Sequence, residues 1–223
     1  MSLVYENYEI GKPGVHAFIS GVSAYHHLPG GSSAKQIRNS YGMKQLATPA
    51  RSAHRLYRWL LDHKTSLPQP LRSIRLLMSP SQTDEIDVST VPCTRDNFKS
   101  TAKSWRNDGA THRDNIMIFY FAGHGIQIDT NTSTIMLMED FGVDSDDLFE
   151  NGVSVSNLAE LMRPLSDQTD IARTQLYFVD CCRVSHSDFE RIQNPGVKSL
   201  WDVRYSSGVR DDRNAPIYFS TAP

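Results

Sequence analysis

The chain has 223 residues, with 23 Lys and Arg against 25 Asp and Glu and a formal net charge of −2. That length suits one α/β domain with a sizeable core, and the balanced charge, with no dense Lys/Arg block, gives no basis for a nucleic-acid or anionic-membrane surface. No apolar run approaches the ~20 residues that span a bilayer, the N-terminus lacks a signal-peptide layout, and three cysteines, two of them adjacent, make neither a disulfide framework nor a CxxC metal site. The expectation is a single cytoplasmic domain with free thiols and with neither a nucleic-acid nor a membrane partner.

Residues 1–13 are polar and read as a loosely attached arm. Gly14 to Val22 predicts a buried first strand that breaks at Gly21, and His16 inside it reads as a structural histidine. Ser23 to Ala47, rich in Gly, Ser, His and Tyr, predicts a long loop leaving the strand end. Thr48 and Pro49 suit the cap and first position of a helix, along which Ala50, Ala53, Leu56, Tyr57, Leu60 and Leu61 share one apolar face. Leu67 to Pro70 leads into a second strand, Ile74 to Met78. Thr94 predicts the cap of a second helix, with Phe98, Thr101, Ala102 and Trp105 on one face and a stop at Asn107-Asp108-Gly109. Cys93, just before that cap, reads as an inert, partly buried cysteine, although a helix N-terminus can lower a thiol pKa.

The chain is organised around the next stretch, Asn115 to Gly125. Ile116 to Phe121 is a short apolar run followed by Ala122, Gly123, His124 and Gly125, which predicts a strand buried on both faces with a histidine at its carboxyl end. Open α/β sheets place their chemistry at that end. Thr134 to Met138 is a short apolar stretch opening into Glu139, Asp140, Asp144, Asp146, Asp147 and Glu150. Such carboxylates suit Ca²⁺, but the spacing is not that of an EF-hand, so a solvated acidic loop is favoured and neither a metal nor a cofactor is expected. Ser154 predicts the cap of a third helix. Thr174 to Arg183 then repeats the apolar-strand design and delivers Cys181 and Cys182, and Ala215 to Thr221 predicts a last strand.

Strands alternating with helices imply parallel strands with helices on both faces. Right-handed crossovers bring every carboxyl end to one edge, so His124 and Cys182 emerge on the same side. Between the last two strands, residues 183–214 show little periodicity, and loops of that length are generally functional or disordered.

Phe121-Ala-Gly-His-Gly125 followed by Val179-Asp-Cys-Cys-Arg183 resembles the caspase, metacaspase and paracaspase superfamily of cysteine peptidases, and Ser20 to Tyr25 with Leu28-Pro-Gly30 resembles its bacterial members. The resemblance covers Val15 to Thr221 and implies a three-layer α/β/α fold with a mostly parallel central sheet. It aligns Cys182 with the nucleophile and Cys181 with a variable position. A thiol and an imidazole suit acyl transfer, and the backbone N–H groups of Gly125 and Cys182 suit an oxyanion site. Cys181 as nucleophile is the alternative, disfavoured because adjacent strand-end side chains point to opposite faces.

Caspases that cut after Asp use arginines, and Ser20 to His27 contains none. Asp180, two residues before Cys182, matches the metacaspase position that lines a pocket for a basic side chain, which implies cleavage after Arg, or less readily Lys. A structural carboxylate is the competing reading. Arg191, Lys198, Arg204, Arg210 and Arg213 lie in the segment that family members cut on activation, so self-processing of a zymogen competes there with simple solvation.

Two features depart from the pattern: Arg183-Val-Ser185 replaces the usual His-Ser-Gly, and the family continues past this chain's Pro223 into a further helix and strand, which fits a fragment. The resemblance implies a protein or peptide substrate, a regulatory protein partner and a role in cell death or antiviral defence. The alternatives are a non-catalytic scaffold of the same fold and a flavodoxin-like nucleotide-binding domain. Against the latter, Leu28 to Ser33 matches neither GxGxxG nor the P-loop.

Overall fold

A computed structural model of the chain describes residues 1–33, 35, 37, 39–127, 134–144, 149–182, 197–203 and 208–220. The main sheet contains β1 (Leu3–Glu6), β2 (Val15–Val22), β3 (Leu71–Ser79), β4 (Ile116–Gly123), β8 (Thr174–Cys181) and β9 (Ile217–Phe219), in the spatial order β1-β3-β2-β4-β8-β9. All neighbours are parallel except β1, which runs antiparallel along β3. A small antiparallel sheet, β5 (Gly125–Ile126), β6 (Ile135–Leu137) and β7 (Gly152–Ser154), grows from the end of β4. The helices are α1 (Pro49–Asp62), α2 (Arg95–Gly109) and α3 (Val155–Leu161).

Two apolar cores form because the sheet is covered on both faces. On one face, Ala50, Ala53, Tyr57 and Leu60 of α1 pack on Val15, Ala17 and Ile19 of β2 and on Ile74, Leu76 and Met78 of β3. On the other, Phe98, Ala102 and Trp105 of α2 and Leu158 of α3 meet Phe18, Phe119, Phe121 and Tyr177. Here Phe18 lies 4.9 Å from Phe98 and 5.4 Å from Phe119 between ring centroids, and Trp105 reaches Tyr177 at 6.2 Å, spacings favourable for tilted aromatic pairs. Trp105 also donates its indole N–H to the His16 carbonyl at 3.0 Å. The side-chain oxygens of Thr94 and Ser154 accept from the backbone N–H groups of Asn97 and Asn157, capping α2 and α3 as expected. Thr48 occupies the cap position of α1 but its side chain makes no capping bond; Pro49 at the first turn is the start signal that holds there.

Several expectations change. The polar N-terminal arm contributes an edge strand, β1, because Leu3 to Glu6 finds unpaired backbone groups on β3. Burial on both faces is partial for β4 and fails for β8. In β4, Met117, Phe119 and Phe121 are buried while Ile116, Ile118 and Tyr120 are half-buried. In β8, Tyr177, Val179 and Cys181 are buried but Phe178 and Asp180 are exposed, since α1 covers β2 to β4 and no described element covers β8 and β9 on that face. Phe178 and Tyr218 stack on each other there, 5.3 Å apart.

Within the 183–214 segment, two of the basic residues that are described have partners. Arg213 is tied down, its guanidinium 6% exposed and bonded to Asp211, the Ala159 carbonyl and Gln175, and Lys198 pairs with Glu150 at 3.2 Å. Arg210 is exposed, whereas Arg191 and Arg204 lie outside the described residues. Among the described residues, no helix is long and apolar enough to cross a membrane.

Candidate active site

β4 and β8 run side by side in parallel, and their last registered pair is Gly123 opposite Cys181. Parallel neighbours sit about 4.8 Å apart, so His124 and Cys182, each one residue further on, leave adjacent strand tips at the same edge. The two cysteines separate by alternation: Cys181 is buried at 3% exposure, and Cys182 is exposed. Cys93 is fully buried, with its thiol against Met138 Sδ at 3.8 Å, and burial pushes its pKa up. Only Cys182 combines exposure with a histidine at the neighbouring tip.

Gly125 is required by close approach. A Cβ there would collide with Cys181 Sγ and stand 2.8 Å from the Cys182 carbonyl oxygen. The direction of its N–H follows from the strand register. Gly125 faces Met136 across β5 and β6, and the Leu137 N–H bonds to the His124 carbonyl at 3.0 Å. That pattern makes Gly125 and Met136 a non-hydrogen-bonded pair, so the Gly125 N–H points away from β6.

His124 is held from two sides. Its backbone N–H donates to the Tyr25 hydroxyl at 2.7 Å, and the Tyr25 ring lies 4.9 Å from the imidazole. The ring Nε2 lies 2.7 Å from the Lys44 carbonyl oxygen. A carbonyl can only accept, so Nε2 carries the proton and Nδ1 of the neutral ring keeps the lone pair. Burial lowers the His124 pKa and the Lys44 carbonyl partly offsets it, which favours the neutral imidazole near pH 7. Tyr25 is fully buried, its pKa pushed up by burial, so its hydroxyl stays protonated.

Asp180 lies on the exposed face, two residues before Cys182. Its Oδ1 accepts from Ser220 Oγ at 2.5 Å and its Oδ2 from the Tyr120 hydroxyl at 3.3 Å. The Tyr120 pKa is raised, chiefly by burial and then by the Asp180 charge, so the phenol remains a donor. Among the described residues, no basic side chain makes an ion pair with Asp180.

Sequence reasoning missed Tyr25, Lys44, Tyr120 and Ser220. Tyr25 and Tyr120 fall inside stretches it quoted, but nothing local marks their partners. The acidic run is put to structural use: Glu139 accepts from Ser79 Oγ at 2.5 Å and faces His26 Nε2 at 2.7 Å, and Asp140 accepts from the Arg95 N–H at the start of α2. Among the described residues no cluster of three or more His, Cys, Asp or Glu is arranged to hold a metal ion; Asp146 and Asp147 lie outside those residues. His16 is the buried structural histidine expected, with Nδ1 2.8 Å from Ser73 Oγ.

A family model described as the caspase domain matches residues 17–222. Among curated proteins the chain has no significant match.

Proposed function

Because the chain belongs to the caspase-domain family of cysteine peptidases, whose substrates are proteins, we propose that it is an endopeptidase using Cys182 and His124 and cleaving after Arg, or less readily Lys. One observation carries the reading: an exposed thiol and a neutral, tautomer-fixed imidazole leave neighbouring strand tips.

The Cys182 thiol passes its proton to His124 Nδ1 as sulfur attacks the scissile carbonyl carbon. The carbonyl oxygen becomes an oxyanion facing the N–H groups of Gly125 and Cys182, donors of a kind worth about 3 kcal/mol each in the transition state. His124 then protonates the departing amine, the C–N bond breaks, and a thioester remains on Cys182. A water molecule, deprotonated by His124, attacks that thioester and frees the acid and the thiol.

Asp180 supports basic specificity. The substrate residue before the scissile bond would bring its cation to a carboxylate already oriented by Tyr120 and Ser220. Both hydroxyl protons point at Asp180, so the Ser220 oxygen and the carboxylate present acceptors, and a guanidinium offers more donors to that set than an ammonium.

Self-cleavage belongs to the same reading, at Arg210 or within 183–196 and 204–207 rather than at the sequestered Arg213. The family resemblance extends the reading to a zymogen in cell death or defence, acting in the cytoplasm with a regulatory protein partner. Fluorogenic peptides ending in Arg, Lys or Asp, assayed beside Cys182→Ala, test the reading. Cleavage of the Arg peptide alone or best, abolished in the variant, is expected. Rapid turnover of the Asp peptide with none of the Arg peptide would remove the specificity, and equal activity in Cys182→Ala would remove the mechanism. Identical masses of parent and variant after incubation would end the self-processing idea.

A further inference from the structure

The group that fixes the His124 tautomer is a backbone carbonyl, and a carbonyl is only as well placed as the chain that carries it. That chain is the loop from Ser23 to Ala47, which contains neither helix nor strand among its described residues. Its return limb is nevertheless set by three restraints. A tight turn reverses the chain, with Tyr41 at φ 52° and Gly42 at φ 76° and the Met43 N–H bonded to the Ser40 carbonyl at 2.8 Å. Two consecutive left-handed residues suit a type I′ turn, and Tyr41, lacking glycine's freedom, holds that conformation at a cost. After the turn, the Leu46 N–H bonds to the Ser23 carbonyl at 2.9 Å. Between these points the side chain of Gln45 ties the limbs together.

Gln45 Oε1 accepts from the Tyr25 N–H at 2.7 Å, and Nε2 donates to the Tyr25 carbonyl at 2.9 Å, with the Pro29 and Leu28 carbonyls at 3.2 and 3.3 Å. One side-chain amide thus serves both backbone groups of Tyr25. The hydroxyl of that same Tyr25 receives the His124 N–H, and the residue before Gln45 receives the His124 ring proton. The contacts close a ring: His124 to Tyr25, Tyr25 to Gln45, Gln45 through the chain to Lys44, and Lys44 back to His124.

We infer that Gln45 is a positioning residue for the catalytic histidine, locking the two holders of His124 to each other so that the imidazole presents Nδ1 in one orientation. This rests on the proposed peptidase reading only in calling His124 catalytic; the restraint on the ring is a separate matter. Removing the amide frees the Lys44 limb to move against Tyr25, and a misplacement of about 1 Å is enough to cost on the order of a hundredfold in rate.

The test reads the ring proton directly, in Cys182→Ala chain labelled with ¹⁵N-histidine, where turnover plays no part. A slowly exchanging His124 Nε2–H resonance, identified by its loss in a further His124→Gln variant, is expected. It should disappear into solvent exchange in Cys182→Ala, Gln45→Ala. The same loss is expected in Cys182→Ala, Gln45→Glu, which keeps an acceptor for the Tyr25 N–H but has no N–H to donate, so one folded variant of the two suffices. Well-dispersed sheet amides serve as the folding control. In the active chain, Gln45→Ala should lower kcat on the order of tenfold to a hundredfold with KM within about twofold, because the Gln45 amide is engaged by Tyr25, Leu28 and Pro29. Persistence of the ring resonance in a folded Gln45 variant would overturn the inference, as would its absence from Cys182→Ala itself. If the resonance behaves as expected but the parent chain cleaves no peptide, the positioning stands and it is the peptidase reading that falls.

Discussion

Replacing Gly125 by alanine probes stability and chemistry with one methyl group. The new Cβ would overlap Cys181 Sγ and stand 2.8 Å from the Cys182 carbonyl oxygen and 3.0 Å from Cys181 Cβ, so the 124–125 and 181–182 segments must part by about 1 Å to reach ordinary contact. Cys181 cannot yield easily, since it belongs to the main apolar core with Phe121 and Tyr25. Overpacking of this kind costs about 1–3 kcal/mol, which for a chain of this size lowers the thermal midpoint by about 2–12 °C. The same separation moves Cys182 away from His124, and turnover of an Arg-terminated peptide should fall on the order of a hundredfold. Differential scanning calorimetry and steady-state kinetics measure the two effects. Their separation comes from Cys181→Ala: in that background the sulfur overlap is gone, so the Gly125→Ala stability penalty should shrink, while the rate penalty persists because the Cys182 carbonyl is still crowded. A Gly125→Ala chain with the parent's midpoint and turnover would refute the packing argument and the placement of the two strand tips.

Asp180→Asn should reduce kcat/KM for an Arg-terminated peptide by about ten- to a hundredfold, the range of a charge-assisted hydrogen bond, with a much smaller change for a peptide ending in a neutral residue; equal losses on both would assign Asp180 a structural role. His16 is buried and its pKa is lowered to about 4, mainly by desolvation, with Arg72 and Arg75 adding to the depression and Asp108 opposing it. Between about pH 6.5 and 4 the unfolded chain therefore binds more protons at this site, and stability present above pH 6.5 is lost as pH falls, by up to about 3 kcal/mol. Denaturant midpoints across that range should decline more steeply for the parent than for His16→Gln, and parallel slopes would count against it. Arg213→Ala leaves Asp211, Gln175 and the Ala159 carbonyl without their shared donor and should cost about 3 kcal/mol, measured by urea unfolding; a change under ~0.5 kcal/mol would show that the cluster is solvated rather than structural.

Much of this protein can be read along the chain. Short apolar runs ending in glycine or cysteine located β2, β4 and β8, and helical spacing located α1 and α2, because those signals depend on local periodicity and on burial common to any sheet packed between helices. His124, Gly125, Asp180 and Cys182 were legible for the same reason: each lies within two residues of the end of a recognisable strand, and alternation alone separates Cys182 from Cys181. What only the tertiary structure decided are pairings between distant segments. Lys44 holds His124 through a carbonyl that every residue possesses, so no residue type announces it. Tyr120 and Ser220 meet at Asp180 only because β4, β8 and β9 are neighbours in register, and β8 keeps one open face only because α1 stops short of it. Leu3 to Glu6 becomes a strand only because β3 offers it an edge. Local sequence sets which segments can be strand or helix; which bare backbone groups and which uncovered faces come together is a property of the packed sheet.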